Sequence, residues 1–481
     1  MARKLLAFLV PGVGVWATCP GLPFTTVPEN YAAVPELPVY DAALKALDLK
    51  AVVTDLQKLF VNSQDCWPAD FGNYGPLFVR LAWHCSGSWR ETDGRGGCAG
   101  GRQRFEPERS WADNTNLDKA RALLWPVKEK YGDGLSWGDL FTLAGTTAIK
   151  TMGGPISQYC AGRIDSPDGT DSLDLGPSPE QERYAPCPVN GTCERPLGST
   201  TVGLIYLNPE GPVAKQPDGS WAPNPDPKAS ARDVRDAFGR MGMNDTQTVA
   251  LIGGGHAFGK SHGACTAGPG PAPREDVNNP WPGKCGTGKG TDTFTSGMEG
   301  PWTTNPTKWD NEYFAMLLNR TWEKFTGPGG HWQWRVKGAA ADEAKLMRLT
   351  SDMALMNDDN YLSIVQEFAL NQRALDAAFD EAWFKLTTSG GRWSIEKKCI
   401  PGDAIPTVPS LPPKMRCQMT LASSPSEQLE LRWARMLQQT CFQSAMFAWN
   451  RPPAFQASPC KFDMSADGQR TNHCLRALVL G

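Results

Sequence analysis

Arg80, Trp83 and His84 stand at i, i+3 and i+4 within Tyr74-Gly-Pro-Leu-Phe-Val-Arg-Leu-Ala-Trp-His84, so a helix here carries all three on one face. A guanidinium, an indole and an imidazole converging on one spot make a poor hydrophobic stripe. They suit a pocket where a bond is polarised and a proton is moved. A second histidine, His256, lies between glycines in the run 251–259, and the whole chain has only five histidines.

Periodicity predicts a mostly α architecture. Helical apolar spacing occurs over 41–60, 77–89, 118–130, 137–152, 229–241, 244–253, 311–325, 341–356 and 360–386. Asn116 and Ser136 stand where the third and fourth of these need caps. The 49 glycines and 40 prolines concentrate in long aperiodic insertions, near 153–227 and 267–300. Such loops in a compact domain are usually functional. No strand alternation and no tandem repeat stand out.

The first residues read as a secretory signal: Ala2-Arg-Lys4 is basic, 5–15 is mostly apolar, and Val15-Trp-Ala17 offers small residues at a cleavage site. The apolar run is too short for a membrane span. The expected organisation is a signal peptide at 1–17, a leader at 18–40, a catalytic domain at 41–388 and a Cys-rich extension at 389–481. Fourteen cysteines without a C-x-x-C pair suit an oxidising compartment, and their pairing is not deducible from spacing. Of three glycosylation sequons, at Asn190, Asn244 and Asn319, the one in the Pro/Gly/Cys-rich loop, Asn190, is the favoured site. A net charge of −3 argues against nucleic acid or an anionic membrane as partner.

Several motifs in one order then point to a family. Ser63-Gln-Asp-Cys-Trp-Pro-Ala-Asp70, the run ending at His84, Asp93-Gly-Arg-Gly-Gly97, Asn116-Leu-Asp-Lys-Ala-Arg121, Asn208-Pro-Glu-Gly-Pro212, Met241-Gly-Met-Asn-Asp245 and Pro306-Thr-Lys-Trp-Asp-Asn311 closely resemble bacterial-type catalase-peroxidases. These are class I haem peroxidases. The resemblance runs over roughly 40–390 and omits the leader and the Cys-rich tail. It implies a haem peroxidase fold, a two-lobed helical bundle enclosing haem b, with hydrogen peroxide and a small reducing donor as partners. At 481 residues, the second, degenerate domain usual in catalase-peroxidases is expected to be missing.

The resemblance also assigns roles. His256 corresponds to the iron ligand, Asp352 to the carboxylate that accepts its Nδ1–H, and Trp302 to the indole packed beside it. Ser296 falls in the cofactor-binding set. On the other face, His84 corresponds to the base that moves the peroxide proton, and Arg80 to the group that stabilises charge as the O–O bond breaks. Asn114 corresponds to the acceptor that keeps His84 Nε2 a base, and Asp113 to a carboxylate at the channel mouth. Trp83, Tyr206 and Met241 match three side chains that catalase-peroxidases cross-link into an oxidisable adduct, with Tyr206 supplied by the long insertion. Arg392 is the nearest candidate for the mobile arginine of that type, although Thr387-Thr-Ser-Gly-Gly-Arg392 departs from the usual pattern.

Two further departures stand out. Cys85 follows the distal histidine where a small residue is usual, as a buried thiol or half of a disulfide. Thr295 occupies the position of the substrate-binding arginine of ascorbate peroxidases, which argues against ascorbate as donor. Two activities follow as expectations: peroxide reduction coupled to oxidation of a second peroxide or of a donor, and, as the alternative, a secreted peroxidase without appreciable catalase activity. Homodimerisation is left open. Gly254-Gly-His-Ala-Phe-Gly-Lys-Ser261 satisfies a P-loop pattern, and 94–99 mimics a dinucleotide fingerprint, but neither has the strand context that a phosphate cradle needs. A non-catalytic haem protein is disfavoured because both Arg80 and His84 are present.

Overall fold

The computed structural model describes residues 33–64, 69–111, 114, 117–173, 175, 208–261, 298–327 and 330–407. Helices dominate, as expected. The first expected helix is two, α1 (Leu37–Ala46) and α2 (Leu49–Phe60), because Asp48 leaves the helix and its carboxylate accepts from the Lys50 and Ala51 amides. Then come α3 (Gly75–Ser86), α4 (Leu117–Tyr131) and α5 (Trp137–Thr151), the last capped by Ser136 through the Asp139 amide. After β1 (Gln158–Arg163) and the hairpin of β2 (Val213–Lys215) and β3 (Trp221–Pro223), α6 (Pro227–Arg240) leads into α7 (Asp245–Gly255). Asn244 and Gln247 form a reciprocal capping box on α7, so the Asn244 sequon serves as a helix start.

The structure differs from the expected helices in the next stretch. The helix expected over 311–325 stops as α8 (Glu312–Asn319). Beyond β4 (Lys260–Ser261) and β5 (Gly300–Pro301), the strand β6 (Trp322–Thr326) pairs with β7 (Trp332–Val336), Trp322 opposite Val336 and Phe325 opposite Gln333. Its aromatic residues pack better on a pleated hairpin than on a helix. The helix expected over 341–356 is reduced to β8 (Met347–Arg348) and the short α9 (Thr350–Ala354). The last expected helix is again two, α10 (Asp359–Leu370) and α11 (Gln372–Thr388), divided where Asn371 caps α11.

Among the described residues the core is one large apolar cluster, with Trp111 and Leu175 forming a small separate one. α3 packs closely on α5, and α11 packs against both α3 and α7, so the two helices that bear His84 and His256 share one neighbour. The expected Cys-rich extension begins inside this body. β9 (Trp393–Pro401) runs antiparallel to β1, and Cys160 is joined to Cys399 across that pair.

Asp139 ties three elements together where no water reaches. Its carboxylate accepts from Tyr40 Oη at 3.1 Å, the Gly162 amide at 2.7 Å and Arg163 Nη1 at 2.7 Å. Breaking a buried pair from one side leaves the other charge uncompensated. Asp139→Ala is expected to cost about 3–5 kcal/mol, read as a lowered urea midpoint. An unchanged midpoint would show that the pair holds nothing together. Among the described residues no helix is long and apolar enough to cross a membrane.

Candidate active site

Burial along α3 identifies the face that the sequence singled out. Phe78, Val79, Leu81, Ala82 and Cys85 are buried, whereas Arg80, Trp83 and His84 are only partly so. In α7 and just beyond it, Ile252, Gly255 and His256 repeat the pattern at i, i+3 and i+4. A Cβ built on Gly255 meets nothing within 4 Å. The histidine-bearing face of each helix is therefore its partly exposed one, and beside Gly255 the described residues leave space open.

Both histidines are oriented through Nδ1. His84 Nδ1 lies 3.0 Å from Asn114 Oδ1, and Asn114 Nδ2 donates to the Glu108 carbonyl at 2.7 Å. With its amide nitrogen committed, Asn114 presents oxygen to His84, which places the imidazole proton on Nδ1 and leaves Nε2 a lone-pair base. Burial first, and the Arg80 charge second, hold His84 well below its ordinary pKa of 6.5, the Asn114 bond opposing them. The ring is neutral through the neutral and mildly acid range.

His256 stands just past the end of α7, with Nδ1 2.8 Å from Asp352 Oδ1. Asp352 is fully buried at the start of α9. The same oxygen accepts from Tyr313 Oη at 2.7 Å, and Oδ2 accepts from the Leu349 amide at 2.8 Å. Burial pushes this carboxyl up, but the His256 ring, Arg348 and the Leu349 amide outweigh it and hold Asp352 ionised. The Trp302 indole stacks on the His256 ring, with centroids 4.1 Å apart and planes within 10°. Its Nε1 is buried and has no hydrogen-bond partner among the described residues.

Two residues that the sequence did not reveal complete this side. Tyr313, on the inner face of α8, shares the carboxylate with His256 and meets its ring edge-on. Arg348, fully buried between the rings of Tyr313 and Trp322, donates to the Trp302 carbonyl at 2.7 Å and the Tyr313 carbonyl at 3.2 Å. Apolar periodicity marks such positions only as buried, so no motif signal would have found them.

The remaining candidates divide. Trp83 stacks on Phe238 with centroids 5.4 Å apart, and Met241, buried, follows three residues later. Arg240 donates to the Gly87 and Trp89 carbonyls, which ties the Met241 segment to the end of α3. Trp83 and Met241 thus belong to one neighbourhood. Arg392 follows the Gly390-Gly391 turn with an exposed side chain, and its carbonyl accepts from the Ile164 amide at 3.0 Å. Nothing in the described contacts joins it to His84 or His256. Asp113, Asn190, Tyr206 and Ser296, with Asn116 and Thr295, lie outside the described residues.

A helical body with two oriented histidines and a stacked indole is the setting of a peroxidase, and comparison with known proteins gives the same class. The peroxidase family matches residues 54–371, and the chain belongs to that family. Its sequence is of the class I, catalase-peroxidase type. The catalase-peroxidase of Salinibacter ruber is 47% identical over 363 residues, which cover 72% of this chain and 49% of that protein. Those of Geobacillus thermodenitrificans and Halobacterium salinarum are 48% identical over 367 residues and 46% over 366, each again covering 72% of this chain and 48% and 50% of the relative. The chain spans about half the length of the curated relatives it matches.

Proteins of this family and type use haem b with iron. The residues present fit that group. The side chain of His256 is 27% exposed although its helix is central, Gly255 leaves the adjoining space clear, and the anionic partner raises the basicity of the ring nitrogen that remains for iron.

Proposed function

We propose that this chain reduces hydrogen peroxide with haem b, held through His256, and returns to its resting state by oxidising either a second peroxide or a small reducing donor. The observation that carries the reading is the pair of Nδ1-anchored histidines, one on an amide and one on a carboxylate, each on a half-buried face, with open space beside Gly255 on the His256 side. A carboxylate partner suits a metal ligand, and an amide partner suits a neutral base. The haem iron, when bound, supplies the two-electron chemistry at peroxide oxygen.

His84 Nε2 takes the proton from one peroxide oxygen and delivers it to the other, so that water can leave. Arg80, one turn earlier on the same face, stabilises the negative charge that develops as the O–O bond lengthens. Asn114 fixes the tautomer. Trp302 shields His256, while Tyr313 and Asp352 hold the ligand ring in one orientation. Trp83, Tyr206 and Met241 form the centre that lets a second peroxide act as reductant. The resemblance gives Asp113 a part in peroxide entry and Ser296 one in cofactor binding, and makes Arg392 the candidate mobile arginine. The signal-like start and the abundant cysteines support a secretory compartment, where disulfides persist.

The test is turnover of a dye donor by the haem-loaded protein with hydrogen peroxide. Sustained turnover is expected, and a haem-loaded protein inert to both peroxide and dye would refute the proposal. The pH dependence has a defined sign. Neutral His84 is the active form and its pKa is depressed, so the rate is expected to hold as pH falls through 6.5 and to decline only well below it. Arg80→Leu removes the second-ranked cause of that depression. It is expected to move the acid limb upward in pH while lowering the rate. A limb centred at or above 6.5 in the unmodified protein would assign the titration to another group.

A further inference from the structure

Cys85 follows His84 directly, and it is joined to Cys98, with both residues buried. Successive residues on a helix point about 100° apart, so Cys85 faces the packed interior while its neighbour lies on the half-buried face. His84 lies in the last turn of α3, which ends at Ser86, and a helix end leaves backbone groups unpaired and frays readily. The base proposed above thus sits on the part of its helix least able to hold a fixed rotation by itself.

The segment bonded to Cys85 is bound closely to this end of the helix. Gly97 N donates to Ser88 Oγ at 3.0 Å, Ser88 Oγ donates to the Cys85 carbonyl at 3.1 Å, and Arg90 bridges Arg95. Gly96 has φ +86°, and a Cβ there would fall 1.9 Å from the Ser88 carbonyl oxygen. On the far side, a Cβ on Gly138 at the start of α5 would come 2.5 Å from the Cys98 carbonyl oxygen. The same segment continues to Gln103, which donates to Asn114 Oδ1 at 3.5 Å, and Asn114 is the partner of His84. One covalent link therefore closes a ring: His84, Cys85, Cys98, the turn to Gln103, Asn114 and back to His84 Nδ1.

We infer that the Cys85–Cys98 link is a positioning device for His84, fixing the rotation of the last turn of α3 against the segment that leads to Asn114. Neither cysteine touches the reacting atoms, and the inference rests on the reading of His84 as the base. The second link, Cys160–Cys399, joins β1 to β9, and among the described residues neither of its cysteines adjoins His84 in sequence or is bonded to the 98–103 segment. It provides the internal control.

The experiment measures cyanide association with the haem-loaded protein, followed by the haem absorption shift, beside the thermal midpoint. Hydrogen cyanide must give up its proton as it binds iron, so its association rate reports the placement of the base rather than turnover. Cys85→Ala/Cys98→Ala is expected to slow association about ten- to a hundredfold, the scale on which small misplacements act. Cys160→Ala/Cys399→Ala is expected to lower the midpoint and leave association unchanged. If the first pair does not fold, Cys98→Ala alone is used, with the same slowing expected. A link that is only structural would lower the midpoint without changing association in either folded variant, which overturns the inference. His84→Ala separates the two levels. If it slows association while the Cys85/Cys98 variants do not, the positioning role fails and the base stands; if it has no effect, the base reading itself fails.

Discussion

His84→Ala is expected to lower kcat/KM for hydrogen peroxide about 100- to 10,000-fold while the haem-loaded protein keeps its fold, the range that a positioned acid–base group supplies. Three features of the residue lead to this expectation. Its Nδ1 is committed to Asn114, its burial beside Arg80 keeps it neutral, and its helix face is partly open where its neighbours are closed. Removing the imidazole takes away the group that moves the proton and leaves Arg80 and the ligand side intact. Peroxide rates from stopped-flow absorbance decide the matter. A loss of less than about fivefold would mean that solvent or another group moves the proton.

Asp352→Asn is the second large effect. Asp352 Oδ1 serves His256 and Tyr313 at once, so an amide there can present oxygen to only one face and places an NH₂ against a donor on the other. Replacing the carboxylate behind a metal-bound histidine typically costs about 10- to 100-fold in metal affinity or activity. The expected result is weaker haem retention, seen as haem loss on dilution, with a smaller fall in thermal midpoint. Tyr313→Phe retains the carboxylate and is expected to fall between Asp352→Asn and the unmodified protein. Haem retention unaffected by Asp352→Asn would show that His256 does not depend on this partner.

The sequence disclosed the two histidine-bearing segments for different reasons. Arg80, Trp83 and His84 declare themselves by helical spacing and residue type, and α3 formed where that spacing required. His256 was conspicuous only as a histidine among glycines, and Asp352, 96 residues away, came from resemblance alone. Tyr313 and Arg348 gave no signal, because their roles arise where α8, β6, β8 and α9 meet and local periodicity does not encode that meeting. The same limit explains the overlong helices: Trp322 and Phe325 suit a helix stripe in sequence, yet the partner strand β7 decides their conformation. Cys85 stood out as a departure, and only the structure paired it with Cys98.

The most direct measurement is oxygen release from hydrogen peroxide by the haem-loaded protein with no donor present, run beside Tyr206→Phe. Sustained release by the unmodified protein is expected, with its loss in the variant and dye oxidation retained in both. No release from unmodified protein that still oxidises the dye would contradict the second-peroxide step, and undiminished release by Tyr206→Phe would remove the Trp83, Tyr206 and Met241 centre from the mechanism.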